Sequence, residues 1–160
     1  VESGTSRDDV QQQGMDRIQA CREEQKKEKK FRGPELVKEI DKQLDKAMAV
    51  FIFNTQSKLS AASPLLTGRL ASSWFVGQNT PDRSVPPERD KPGPVVITRY
   101  SGKITFDGTW FISSNLPYTQ RAAYDPYNGR RGGGDWFTRI ENNLAKDADR
   151  IFQKYLLQVK

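Results

Sequence analysis

The chain has 160 residues, of which 35% are apolar and 29% charged, with a net charge of +6. That length supports one domain with a real core plus extensions and is short for two. It holds no histidine and a single cysteine, Cys21, which excludes a histidine base or metal ligand, an internal disulfide and a cysteine zinc site.

Residues 1–32 are polar and dense in charge, with Arg22, Lys26, Lys27, Lys29, Lys30 and Arg32 set among Glu23, Glu24 and Glu28. Opposite charges recur there at helical spacings without an apolar stripe, so the segment reads as an arm or a frayed helix. A tether that orders on a neighbouring subunit and a disordered tail both fit this composition. Gly33-Pro34 then punctuates the chain, and proline suits the first turn of a helix. The expected division is a charged arm over 1–33 and a domain over 34–160. Within the domain Leu36, Val37, Ile40, Leu44, Ala47, Met48, Phe51, Ile52, Thr55 and Leu59 recur at three- and four-residue steps. This predicts a long amphipathic helix with Lys38, Glu39, Lys42 and Lys46 on its other face.

The helix must end at Ser63-Pro64, because proline cannot continue it and restrains the residue before it. Gly68 supplies the positive φ of a tight reversal, and from Leu70 the alternation of Ser72, Trp74 and Val76 against Ser73 and Phe75 predicts a strand over 70–76. Residues 77–94 hold five prolines, Pro81, Pro86, Pro87, Pro92 and Pro94, and fit no regular element. This proline-rich insertion is long for an internal loop, and reads as an interaction arm or a mobile insertion. Strands are predicted over 95–100, 103–106 and 109–115, reversed at Ser101-Gly102 and Asp107-Gly108, or else one long hairpin with Asp107-Gly108 as a bulge. A short helix follows Pro117, loop chemistry fills 125–134, and Asp135 reads as the N-cap of a second amphipathic helix. That helix carries Trp136, Phe137, Ile140, Leu144, Ala148, Ile151, Phe152, Tyr155, Leu156 and Val159. The fold class is therefore α+β, a small antiparallel sheet of about four strands packed against a long N-terminal helix and a C-terminal helix.

Chemistry is sparse. Asp107, Asp125, Asp135 and Glu141 could meet as in a metal-dependent nuclease, yet turn and cap positions account for the three aspartates. The glycines before Asp135 could present N–H groups to an anion, but the Gly-Lys-Ser/Thr ending of a phosphate loop is absent. No catalytic residue, metal ligand or cofactor is assigned. Trp74, Trp110 and Trp136 sit in periodic settings that core or interface burial explains better than base stacking. The positive balance suits either nucleic acid or an acidic protein partner. No run approaches the roughly 18 apolar residues of a membrane span, and the first residues lack a signal peptide's apolar core, so a soluble, non-exported protein is expected.

One arrangement stands out: a long helix, a proline step into Thr67-Gly68-Arg69-Leu70 with Ser73-Trp74, a short sheet, Asn115-Leu116-Pro117-Tyr118, a glycine-rich loop, and a last helix beginning Trp136-Phe137. It resembles the tailed-bacteriophage neck and tail-completion proteins, which include tail terminators and relatives of the minor tail protein Z. The resemblance implies a structural, non-enzymatic virion subunit that forms a homo-oligomeric ring, expected to be a hexamer. Such a ring joins the tail tube to the head connector or head-completion protein, with viral DNA passing through its lumen without sequence specificity. The implied location is the neck of the virion, and the host cytoplasm during assembly, with no membrane partner. Pro64, Thr67, Gly68 and Arg69 would form the structural turn, Arg69 pairing with a carboxylate of its own or an adjacent subunit. Candidate subunit or DNA contacts are Lys29, Lys30, Arg32, Arg83, Arg89, Arg130 and Arg131. Two other readings are a basic nucleic-acid-binding protein acting as a monomer and a carboxylate metal nuclease.

Overall fold

The computed structural model describes the backbone of residues 7–124 and 135–159, and the side chains of all of these except residues 7–14 and 25–32. Five elements follow in order: α1 (Arg7–Ala62), β1 (Phe75–Gln78), β2 (Trp110–Ser113), α2 (Thr119–Tyr124) and α3 (Trp136–Leu156). The chain divides into two compact units, Val1–Ile40 and Asp41–Lys160. No helix among the described residues is long and apolar enough to cross a membrane.

In the first unit the described structure is the N-terminal part of α1. Pro34 lies inside that helix rather than at its start, which corrects the expected break at Gly33-Pro34. An interior proline forgoes one N–H bond and costs about 3 kcal/mol, but Gly33, Pro34 and Glu35 are exposed, so water can serve the carbonyl left without a donor. Strong helix formers on both sides then carry the helix through. Met15 and Ile18 are 65% and 57% exposed, as a helix without an apolar stripe requires.

The second unit holds the core. β1 and β2 pair antiparallel with Phe75 opposite Ser113 and Gln78 opposite Trp110, and the Asn79 N–H donates to the Thr109 carbonyl (2.8 Å) just past the ladder. A two-stranded sheet is marginal in isolation. Here α1 and α3 cover it: Leu59, Trp74, Ala123 and Trp136 form one buried cluster with Ile112, Phe137 and Ile140 against it, and Ile52, Val76 and Ile104 form a second. Trp74 stacks on Phe137 (5.9 Å between centroids) and meets Trp136 edge-on (6.3 Å), so aromatic rings bridge the strand entry and α3.

Among the described residues the sheet has two strands, not the four expected. Residues 70–72 belong to the turn, and the first strand begins only at Phe75. Residues 95–100 and 103–106, both rich in β-branched and aromatic side chains, form no ladder because side chains capture their backbone groups. Val96 N–H donates to Ser72 Oγ (3.0 Å), the Thr98 carbonyl accepts from Gln56 Nε2 (2.8 Å), and Phe106 N–H donates to Asp45 Oδ1 (2.9 Å). Asp107-Gly108 does turn the chain, Gly108 N–H reaching the Thr105 carbonyl (3.4 Å). Asp135 precedes α3 as expected but makes no side-chain cap bond; its carboxylate pairs instead with Arg139 one turn on (2.8 Å).

Candidate functional site

The turn after α1 is built from hydroxyl groups. Ser63, the first residue past the helix, directs both its N–H (3.0 Å) and its Oγ (2.7 Å) to the Leu59 carbonyl, and that same Oγ accepts the Trp74 indole N–H (2.8 Å). Ser60 Oγ donates to the Ala71 carbonyl (2.6 Å), Ser72 Oγ to Gly68 (2.8 Å) and Ser73 Oγ to Leu70 (2.7 Å). All four serines are buried, and each has a partner, as burial of a hydroxyl demands. Gly68 takes φ +77°, and a Cβ there would stand 2.8 Å from the Gly93 carbonyl oxygen, so only glycine fits without displacement.

Gln56 ties this turn to the rest of the unit. Fully buried on α1, it donates through Nε2 to the carbonyls of Trp74 (2.7 Å) and Thr98 (2.8 Å), while its Oε1 accepts from Arg99 Nη1 (3.0 Å). Arg99 also donates to the Phe53 carbonyl (2.8 Å) and Ser57 Oγ (2.7 Å), with its guanidinium 5.2 Å from the centre of the Phe53 ring. Composition and apolar periodicity pass over this clamp. The available signal was a glutamine on the same helical stripe as Ile52, Leu59 and Ser63, a position where an exposed polar residue has no place.

Beside the turn opens a cavity of about 390 Å³ lined by Pro64, Leu66, Thr67, Arg69, Arg89 and Tyr118, with Leu70 and Ala122 at its base. The proline-rich insertion forms part of its wall and is pinned there rather than standing off as a free arm. Gly93 N–H reaches the Thr67 carbonyl (3.3 Å), Arg89 Nη1 the Pro94 carbonyl (2.6 Å), and Arg69 Nε the Pro86 carbonyl (3.3 Å). Farther along, Asn115 Nδ2 donates to the carbonyls of Asp82 (2.7 Å) and Ser84 (3.1 Å). Arg69 also faces Glu88 at 3.9 Å, a loose pair because that carboxylate is 89% exposed. Leu66 is 86% exposed and Tyr118 40%, so the rim is apolar and open.

Three of the turn residues, Pro64, Thr67 and Arg69, thus share one cavity with Arg89, and Gly68 shapes the backbone beneath them. Arg83 is exposed and does not line it. Lys29, Lys30 and Arg32 lie on α1, their side chains outside the described residues, as are Arg130, Arg131 and the glycine-rich loop. Of the four carboxylates weighed for metal chemistry, Asp125 lies outside the described residues, Asp135 pairs with Arg139, and Glu141 accepts the Tyr124 hydroxyl (3.3 Å). No group of three or more described His, Cys, Asp or Glu side chains could hold a metal ion. The cavity presents two guanidinium groups and a phenol between apolar walls, a set suited to gripping a carboxylate or a backbone carbonyl beside an apolar side chain. Family models, curated proteins and solved structures were compared with this chain, and none matches it.

Proposed function

We propose that the protein is a structural subunit of the tailed-phage neck, assembling as a homo-oligomeric ring between the tail tube and the head connector. The observation that carries this reading is the meeting of the two segments on which the family resemblance rests. The turn 64–74 and the step Asn115-Leu116-Pro117-Tyr118 are far apart in sequence, yet Leu70, Leu116 and Ala122 form one buried cluster. Ser73 Oγ and Ser114 Oγ are hydrogen-bonded (2.6 Å), and Ser114 bonds in turn to Thr119 (2.8 Å). Pro64 and Tyr118 then line the same cavity.

In this reading the arginines and the exposed Leu66 and Tyr118 make one half of a head-to-tail contact, covered by a different surface of the neighbouring subunit. A monomer gains nothing from an 86% exposed leucine, whereas an interface core gains from burying it at about 25 cal/mol per Å² of apolar surface. Function is carried by shape and charge, without a catalytic step or cofactor. The test is electron microscopy of purified particles labelled with an antibody to this chain. Label at the head–tail junction is expected, and particles without label would refute the proposal.

A further inference from the structure

A second cavity of the same unit, about 630 Å³, lies between α1 and α3, and its polar lining is Lys58, Arg139, Asn143, Lys146, Asp147 and Arg150. Four cations against one carboxylate leave this lining with a net charge of +3. Asp147, only 18% exposed, pairs with both Lys58 from α1 and Arg150 from α3, and so fixes two cationic heads on the cavity's edge. Arg139 is held by Asp135 at the far end, and Lys146 has no carboxylate partner among the described residues.

On α3 the polar positions 139, 143, 146 and 150 follow steps of four, three and four. At about 100° per residue they fall within roughly 60° of arc, with Glu141 on the opposite side and Asp135 and Asp149 flanking the arc one turn from Arg139 and Lys146. The line from Arg139 to Arg150 is about 16 Å long at 1.5 Å rise per residue. Projected on a duplex axis, where each strand carries one phosphate per about 3.4 Å, that span covers about five phosphate levels. We propose that this cationic line on α3, with Lys58 beside it, binds the phosphate backbone of a nucleic-acid duplex without reading its sequence.

The rest of the lining argues against other polyanions. Ile140 is the one apolar residue there, and no aromatic ring lines the cavity, so it lacks both the anchor of a protein interface and the platform on which single-stranded bases stack. Exposed cations in a row, with an asparagine amide among them, are what phosphate contacts use. The inference deepens the ring reading and rests on it for the source of the duplex.

The assay is fluorescence anisotropy of the full chain with a short, random-sequence labelled DNA duplex across a salt series. Each phosphate contact contributes about 0.9 to the slope of log K against log salt. The variant R139Q/K146Q/R150Q is expected to lower that slope by nearly three. A charge-matched control, K46Q/K91Q/K103Q, removes as much charge elsewhere and is expected to leave the slope within about one of the parent. Circular dichroism checks that each variant is folded; should the triple variant unfold, K146Q alone is expected to lower the slope by about one. Absence of duplex binding at low salt, equal losses in variant and control, or equally strong displacement by poly-glutamate would each overturn the inference. Junction labelling of particles is scored independently, so a subunit that labels the neck yet fails this assay refutes the duplex site and leaves the ring reading standing.

Discussion

Replacing Gln56 with leucine tests whether side-chain clamps, rather than a sheet, hold residues 95–100 in place. The substitution nearly conserves volume, so little of its cost is cavity. It strands the Trp74 carbonyl, which lies in the buried part of the turn, at about 2 kcal/mol, and removes the bond to the Thr98 carbonyl, on an exposed residue where water can take its place, at up to about 1 kcal/mol. Arg99 keeps Phe53 and Ser57 and loses one acceptor, a few tenths of a kcal/mol more. The sum, about 2–3 kcal/mol, is a large part of the stability of an ordinary domain. With a urea m-value of about 2 kcal/mol/M the midpoint should fall by about 1–1.5 M. The control Thr55→Val removes only a bond to the carbonyl one turn back (2.8 Å) and should cost under about 1 kcal/mol. Amide exchange should in addition speed up at Val96, which is held by Ser72. A Gln56→Leu loss below about 1 kcal/mol would refute the argument, since both carbonyls would then have other partners.

Three further outcomes follow from the same geometry. Gly68→Ala must hold φ +77° and push back the Gly93 carbonyl, for a loss of about 2 kcal/mol in thermal or urea unfolding; an unchanged midpoint would show that the turn relaxes freely. Leu66→Glu, at a position 86% exposed, should leave unfolding within about 0.5 kcal/mol of the parent yet abolish particle labelling at the neck; normal labelling would remove the rim from the proposed subunit contact. Tyr124 is 54% exposed, and a slight withdrawal from water together with the Glu141 carboxylate that accepts its hydrogen bond holds its phenol above the ordinary tyrosine value. The folded state therefore favours the protonated phenol, and that contribution is complete below about pH 10 and lost as pH rises through the folded pKa. Phenolate absorbance, compared between parent and Tyr124→Phe, should show the late-titrating group, and Glu141→Gln should bring it back toward the ordinary value.

What the sequence made legible was punctuation and amphipathicity. Pro64 ends α1, Gly68 takes the positive φ its setting calls for, and the apolar spacing from Trp136 onward marks α3. Those signals are local, set by the residue's own backbone and nearest neighbours. The misread segments are the ones whose backbone groups are satisfied at a distance. Nothing in Val95-Val96-Ile97 announces that Ser72 and Gln56 will take the hydrogen bonds a neighbouring strand would have taken. Gly33-Pro34 misled for the opposite reason: on an exposed helix, solvent absorbs the cost of proline, and the local stop signal is overridden. The insertion's prolines read as an interaction arm or a mobile insertion, and local sequence does not announce that its carbonyls serve as acceptors for Arg69, Arg89 and Asn115.

The same distinction separates the charges that make +6. Arg99 is a structural cation: a glutamine oxygen, a serine hydroxyl, a helix carbonyl and an aromatic face account for its guanidinium. Arg69 and Arg89 are held by carbonyls of the insertion, with one face left toward the cavity. Arg150 is paired yet 72% exposed, so its partner orients it without taking it out of solvent. Neutralising Arg99 should weaken any partner binding only through lost stability, and the loss should shrink at low temperature or in a stabilising osmolyte. Neutralising Arg139, Lys146 and Arg150 should change the salt dependence with little change in stability, because exposed ion pairs contribute about 0–1 kcal/mol each. A screen of basic residues that omitted the unfolding midpoint would therefore mistake a loss of stability at Arg99 for a loss of contact.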